Sequence, residues 1–186
     1  MNSFQIETAR LRLRPCAASD IDDLHRLWTD PQVRKYLWDD QIIPRELAEE
    51  VVGSSLASFA SHNLGFLSVF FKDEEELIGF CGFRHFGDPP QVEILYGIAP
   101  AHWGKGLATE AARAVLRFGF EEIQLDHIYA GADPPNLSSF RVMERCGMKF
   151  DRQVTVNGLE AIYYALARQD FQPDDSPYRI ISAPLG

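Results

Sequence analysis

Over residues 8–14 apolar and charged positions alternate. Leu11 and Leu13 face one way and Arg10, Arg12 and Arg14 the other, the period of a half-buried strand that Pro15 stops. The period then lengthens. Ile21, Leu24, Leu27 and Trp28 share one stripe of a helix capped by Ser19 or Asp20 and followed by Pro31. Leu47, Val51, Val52, Leu56 and Phe59 make the apolar face of a second helix whose first turn holds Pro44. The runs 66–71 and 77–83, parted by the charged stretch 72–76, predict a β-hairpin. Beyond the turn Gly87-Asp88-Pro89-Pro90, residues 92–98 add a third strand antiparallel to its predecessor.

The clearest helix comes next. Leu107, Ala111, Ala114, Val115 and Phe118 recur at helical spacing, with Glu110, Arg113, Arg117 and Glu121 opposite. Residues 127–132 are again strand-like, so strand 92–98, this helix and strand 127–132 predict a right-handed crossover between two parallel strands. A ligand-binding opening is expected at the carboxyl ends of those strands. Asp133-Pro134-Pro135-Asn136 starts a short helix that ends at Gly147, and residues 150–156 and 160–166 predict a closing hairpin turned through Asn157-Gly158. Residues 1–171 read as one domain and 172–186, with three prolines and little periodicity, as a tail. The segment Tyr178-Arg179-Ile180-Ile181 is read as docking on a partner subunit, which would make a homodimer.

A chain of 186 residues can bury roughly 70% of its unfolded surface in one core. With 27 acidic and 18 basic side chains its net charge is -9, the wrong sign for a broad phosphate-neutralising surface, so nucleic acid is not expected as a ligand. No apolar run is long enough to span a membrane, and residues 1–5 lack the pattern of a secretory leader, so a cytoplasmic protein is expected. Cys16, Cys81 and Cys146 are odd in number and far apart, which predicts neither a disulfide framework nor a thiolate zinc site. The five histidines lack metal-ligand spacing, and no metal is expected.

The chemistry concentrates between strand 92–98 and the helix after it, in Ala101-His102-Trp103-Gly104-Lys105-Gly106-Leu107-Ala108-Thr109-Glu110. The first four N–H groups of a helix have no partner within it and carry about half a positive charge, so an anion fits there. Gly104 and Gly106 let the backbone approach that anion, and Lys105 adds a formal charge nearby. A bare strand-to-helix turn would also use two glycines. Two familiar phosphate loops do not match: a mononucleotide loop needs Gly-Lys followed by Ser or Thr, whereas Gly106 follows Lys105, and a dinucleotide loop needs a third glycine where Thr109 stands.

The segment resembles the coenzyme loop of the GNAT family of N-acetyltransferases, whose Gln or Arg, Gly, and Gly or Ala fall at Trp103, Gly106 and Ala108. Trp103 in the first place is typical of the branch resembling the RimJ and RimL protein N-terminal acetyltransferases. The opening Glu7-Thr8-Ala9-Arg10-Leu11-Arg12-Leu13-Arg14, the loop, and Asn136-x-x-Ser139 ending at Gly147-Met148 occur in that branch's order, over roughly residues 5–168. The resemblance implies an α/β GNAT fold, with a mixed, mostly antiparallel central sheet flanked by helices and splayed at its parallel strand pair. It also implies acetyl-CoA as co-substrate and an amine acceptor, a protein N-terminus or a small molecule, that attacks the thioester directly.

Site roles come from the same resemblance. Residues Trp103, Gly104, Lys105, Gly106, Leu107, Ala108 and Thr109 would cradle the pyrophosphate, the Ile98 backbone would lie beside the pantetheine amides, and Gly97 would mark a bulge that splays the strands. Glu93, on a strand face with Leu95 and Gly97, is the candidate general base; the same alternation also fits a solvated strand face. Asn136 fits both an N-cap and a pantetheine partner, and Ser139 is the candidate proton donor to the departing thiolate. The tyrosine many relatives use for that step is replaced by Met143, with Tyr129 as a further candidate. Trp38, Asp39 and Asp40 are expected in the acceptor wall, where a carboxylate could attract an ammonium group or simply be solvated. The competing reading is a non-catalytic acyl-CoA-binding or interaction module on the same fold.

Overall fold

The computed structural model describes residues 4–156 and 158–182. Strands β1 (Phe4–Glu7) and β2 (Leu11–Pro15) are followed by helices α1 (Ile21–Thr29), α2 (Pro31–Leu37) and α3 (Arg45–His62). Strands β3 (Phe66–Phe71), β4 (Leu77–Phe86) and β5 (Gln91–Ile98) form a meander. Helix α4 (Leu107–Glu121) then crosses to β6 (His127–Ala132), and α5 (Leu137–Arg145), β7 (Lys149–Val156), β8 (Leu159–Ala167) and β9 (Arg179–Ser182) complete the chain. The strands form one sheet in the order β7-β8-β6-β5-β4-β3-β2-β1-β9.

Every neighbouring pair is antiparallel except β5 and β6, the pair joined through α4. Those two strands share a single register pair, Glu93 with Tyr129, and separate towards their carboxyl ends. The expected bulge at Gly97 is absent: β4 and β5 keep one register from Gly79↔Ile98 to Phe86↔Gln91. Glycine is needed at 97 for another reason, since a Cβ there would come within 2.6 Å of the Phe80 ring.

Alternate residues of β5 feed two cores. Ile94 and Ile98 pack with the apolar stripe of α4, whereas Leu95 joins Phe80, Trp28, Leu24 and Val52 beneath α1 and α3. Asp20 ties this second layer to the sheet. Its buried carboxylate takes two bonds from Arg14 (2.7 and 2.8 Å) and one each from the Ala17 N–H and the Ser68 hydroxyl. Burial opposes its charge, but these partners outweigh burial and hold the carboxyl below its ordinary range.

The pattern of residues differs from expectation in three places. Pro31 starts α2 instead of merely following a helix, because the Asp30 carboxylate caps the Gln32 N–H at 2.8 Å. Phe4–Glu7 forms its own strand ahead of β2. Within the expected tail, Arg179–Ser182 pairs with β1, from Phe4↔Ser182 to Glu7↔Arg179, while Tyr178 lies under Arg117 with the guanidinium 4.6 Å from its ring centroid. The tail segment thus docks on its own sheet. Of the turn expected at Asn157-Gly158, Asn157 lies outside the described residues.

Ending the chain after Phe171 exposes the β1 edge and the surface under Tyr178 and Ile180. A loss of about 2 kcal/mol is expected, lowering the melting temperature by about 4–8 °C. Scanning calorimetry checks the loss, and light scattering at matched concentration is expected to give an unchanged oligomeric state.

Candidate active site

The loop between β5 and α4 turns on Gly104 (φ 76°) and Gly106 (φ 75°), both in the left-handed region that side chains disfavour. Gly106 is the N-cap of α4, and no side chain caps the first turn, so its N–H groups face the cleft unclaimed. A clamp from the start of the chain fixes the loop from behind. Glu110 accepts from the Thr8 hydroxyl (2.6 Å), the Arg10 N–H (2.9 Å) and Arg10 Nε (2.7 Å), and Arg10 Nη1 donates to the Lys105 carbonyl (2.9 Å). The Lys105 ammonium itself points away, 3.4 Å from the Ala101 carbonyl, and is not part of the cleft lining.

Trp103 departs from the amide or basic residue expected at the head of the loop, and its bond gives a reason. Its indole N–H donates to the Ile98 carbonyl at 2.6 Å, latching the loop to the end of β5 while the ring stays half exposed. That bond uses one lone pair of the carbonyl of Ile98, whose backbone was expected to lie beside the pantetheine amides.

Across the opening, the Asn136 side chain caps α5 by accepting from the Ser139 N–H at 3.3 Å. Ser139 is half-buried and lines the cleft, and its carbonyl accepts from the Tyr96 hydroxyl at 3.0 Å. Tyr96 therefore bridges β5 and α5 across the gap, with burial pushing its phenol well above its ordinary range. Sequence reasoning missed this residue, although its alternation with Ile94 and Ile98 marks it as facing the α4 and α5 side. Met143 is buried at the cleft, whereas Tyr129 lies beneath Arg152 and against Phe86, outside the lining.

Glu93 is 3% exposed, yet it lines the cleft at the point where β5 and β6 part. Arg84, its register partner on β4, places both Nε and Nη2 at 2.8 Å from Oε2. The other oxygen lies beside Gly131, where a Cβ would come within 3.0 Å of it. Burial raises this carboxyl above the ordinary carboxylate range, against the opposing pull of Arg84 and the Gly131 N–H.

The cleft has a volume of about 1340 Å³ and runs from the glycine loop to the helices of the second layer. Ile98, Trp103, Gly104, Gly106, Leu107, Ala108 and Thr109 line one end with Asn136 and Ser139, and Trp38 lines the other. Asp39 and Asp40 are exposed and outside the lining. Arg34 binds Asp40 at 2.9 Å, and both aspartates have left-handed backbone. Asp39 nevertheless lies near Asp133 of the cleft lining, whose carboxyl is raised by burial and by the Asp39 charge. Among the described residues, no three His, Cys, Asp or Glu side chains are grouped to hold a metal, and no helix is long and apolar enough to cross a membrane.

A sheet that opens beside an uncapped, glycine-led helix leaves strand-edge amides and helix N–H groups beside one cleft. The family described as acetyltransferase (GNAT) domain matches residues 10–149, and the chain belongs to it. The uncharacterized N-acetyltransferase p20 of Bacillus licheniformis is 33% identical over 141 residues, 73% of this chain and 77% of that protein. A crystal structure of a GNAT-family acetyltransferase from Bacillus anthracis aligns with a TM-score of 0.75 at 27% identity, over 89% of this chain and 99% of that one. RimL, a ribosomal L7/L12 alpha-N-protein acetyltransferase solved in complex with coenzyme A, shares the fold with a TM-score of 0.73 at 16% identity, over 86% and 95% of the two chains.

Replacing Glu110 with Ala removes the acceptor for Thr8 and Arg10. Because Arg10 is half exposed, the expected loss is about 1–2 kcal/mol, readable as a lower urea midpoint with an unchanged slope.

Proposed function

We propose that the protein transfers the acetyl group of acetyl-CoA to a primary amine by direct attack in a ternary complex, and that it falls in the RimJ/RimL-like branch of its family. The observation that carries this reading is the single register pair between β5 and β6. The strand edges beyond it, which no neighbouring strand pairs, run towards the uncapped first turn of α4. Extended amides along those edges and an anion at the helix start would satisfy both sets of orphan groups. The coenzyme complex of RimL and the order of motifs around Trp103 favour the branch.

In this reading the backbone of residues 103–109 holds the pyrophosphate, and Asn136 and the β5 edge near Ile98 orient the pantetheine arm. The acceptor nitrogen forms a C–N bond to the acetyl carbonyl carbon as the C–S bond breaks. Glu93 takes the proton from the nitrogen, its raised carboxyl bringing it nearer to working pH. The Ser139 hydroxyl donates to the departing sulfur. Arg84, half exposed beside Glu93, opposes through its charge the upward push of burial on the carboxyl.

Thermal unfolding with acetyl-CoA, CoA, dephospho-CoA and ATP tests the coenzyme reading. A ligand at about 100 times its dissociation constant adds about 2.7 kcal/mol, a rise of about 5–10 °C at this size. Acetyl-CoA is expected to give that rise, ATP none, and Gly106→Asp is expected to abolish it by bringing a carboxylate to the anion end of α4. No shift from any CoA species at millimolar concentration would overturn the proposal.

The rate of thiol release with a saturating amine is expected to rise with pH through a carboxyl displaced above the ordinary carboxylate range. Glu93→Gln is expected to flatten that limb and lower kcat by about 10²–10⁴, with the acetyl-CoA thermal shift retained. Unchanged turnover in this variant would remove Glu93 as the base, whereas a retained acetyl-CoA thermal shift with no thiol release from any amine would leave the non-catalytic binding module as the better reading.

A further inference from the structure

The two oxygens of Glu93 have different surroundings. Oε2 is taken by Arg84, whereas Oε1 sits beside Gly131, just past the point where β6 leaves β5. Gly131 pairs in register with Tyr163 of β8, and paired residues on adjacent strands present their side chains to one face. Glu93 and Tyr163 converge there. A Cβ on Gly131 would lie 2.8 Å from Tyr163 Cε1, 2.9 Å from its Cζ and 3.0 Å from Glu93 Oε1. The missing side chain at 131 is what lets the phenol lean across β6 towards the carboxylate. The ring is held in that position by its neighbours. It stacks on Phe86 with centroids 5.4 Å apart and planes 2° from parallel, and the Arg152 guanidinium lies 4.9 Å from its centroid. Arg152 is itself fixed by Gln91, whose Oε1 accepts from Nη2 at 2.9 Å.

Tyr163 is half-buried and lines the cleft with Glu93. Its hydroxyl has no hydrogen-bond partner among the described residues and is not one of the polar atoms sealed from solvent. Burial and the Glu93 charge keep the phenol above its ordinary range, so at neutral pH it is an uncharged oxygen with lone pairs to offer. A phenol and a carboxylate that converge over one glycine, open to a cleft and not bonded to each other, make a seat for an atom that donates twice. An attacking primary amine is such an atom. It carries two N–H groups besides the lone pair that attacks, and a secondary amine carries one.

We propose that Tyr163 contacts the acyl acceptor, seating its nitrogen beside Glu93, and that this contact makes the protein select primary over secondary amines. The inference rests on the transferase reading above and deepens it. As the nitrogen lone pair forms the C–N bond and the C–S bond breaks with its electron pair leaving on sulfur, one N–H proton passes to Glu93 Oε1. The other stays on nitrogen and is donated to Tyr163 Oη. A secondary amine satisfies Glu93 and leaves the phenol unpaired. Tyr163 takes up no proton itself in this arrangement; it is a specificity residue.

The test compares benzylamine with N-methylbenzylamine as acceptors, measuring thiol release from acetyl-CoA by the native protein and by Tyr163→Phe, which keeps the stacked ring and removes only the hydroxyl. The variant is expected to lower kcat/KM for benzylamine by about 10-fold and to leave N-methylbenzylamine within about 2-fold, with the acetyl-CoA thermal shift in place. The preference for the primary amine falls accordingly. An equal loss with both amines, which a packing role would give, or no loss with either, overturns the inference. A readout that needs no turnover is the nuclear magnetic resonance signal of Tyr163 Cζ in protein isotopically labelled at that carbon of its tyrosines, assigned by its absence from Tyr163→Phe. With CoA present, benzylamine is expected to move that signal saturably. If acetyl-CoA binds but neither amine is acetylated, a saturable movement sustains the Tyr163 contact while the transferase reading fails. No movement overturns the contact.

Discussion

Two parallel strands joined at one register pair and then allowed to part are the constraint around which this molecule is organised. A sheet normally pairs the N–H and C=O groups of every interior strand, and leaving them bare in a protein interior is costly. Here the separation between β5 and β6 is held open by neighbours that are themselves fully paired: β4 zips along the whole of β5, and β8 pairs with β6 from His127 to Ala132. The gap is therefore rigid on both banks. Tyr96 reaches across it to Ser139, and Glu93 closes its narrow end with Arg84.

The loop beside the gap is as firmly determined. Gly104 and Gly106 supply the backbone shape, but the shape is kept by Glu110, which reaches back to Thr8 and Arg10, and by Trp103, which holds the end of β5. The opening motif of the chain and the glycine loop are thus two halves of one device. Their residues lie about 100 positions apart in sequence, and the charged partners are linked by direct contacts. That coupling gives a physical reason for Thr8 and Arg10 to accompany the loop, independent of any role at a ligand.

Much of this architecture was legible because its elements have strong periods. The α4 stripe, the strand meander and the crossover all show in the apolar spacing, and Gly147, with a φ of 81°, ends α5 as its sequence suggests. Helix α2 was illegible because Asp30-Pro31 carries two meanings, a stop after α1 and a cap with first turn for a new helix, and only tertiary packing decides. Strand β9 was hidden for a different reason: Ile180 and Ile181 form too short a run to declare themselves, and their partner lies at the opposite end of the chain. At the candidate site, Glu93, Asn136 and Ser139 were visible as residue types in sequence order. The Arg84 partner of Glu93 was not, because cross-strand register decides it, nor was the left-handed backbone at Asp39 and Asp40.

The pairing of β1 with β9 carries a consequence for biosynthesis. β1 has β2 on one side, and its other side is completed only by residues 179–182. While the chain emerges from a ribosome, that edge stays open until residues 179–182 have been made, although Phe4 and Ile6 can pack earlier against the aromatic and aliphatic side chains of α4. Long-range pairings of this kind slow the final step of folding and leave an unpaired strand edge accessible to other chains. Strand β9 thus shields a strand made long before it, and a nascent chain stalled between the two is the species most in need of a chaperone.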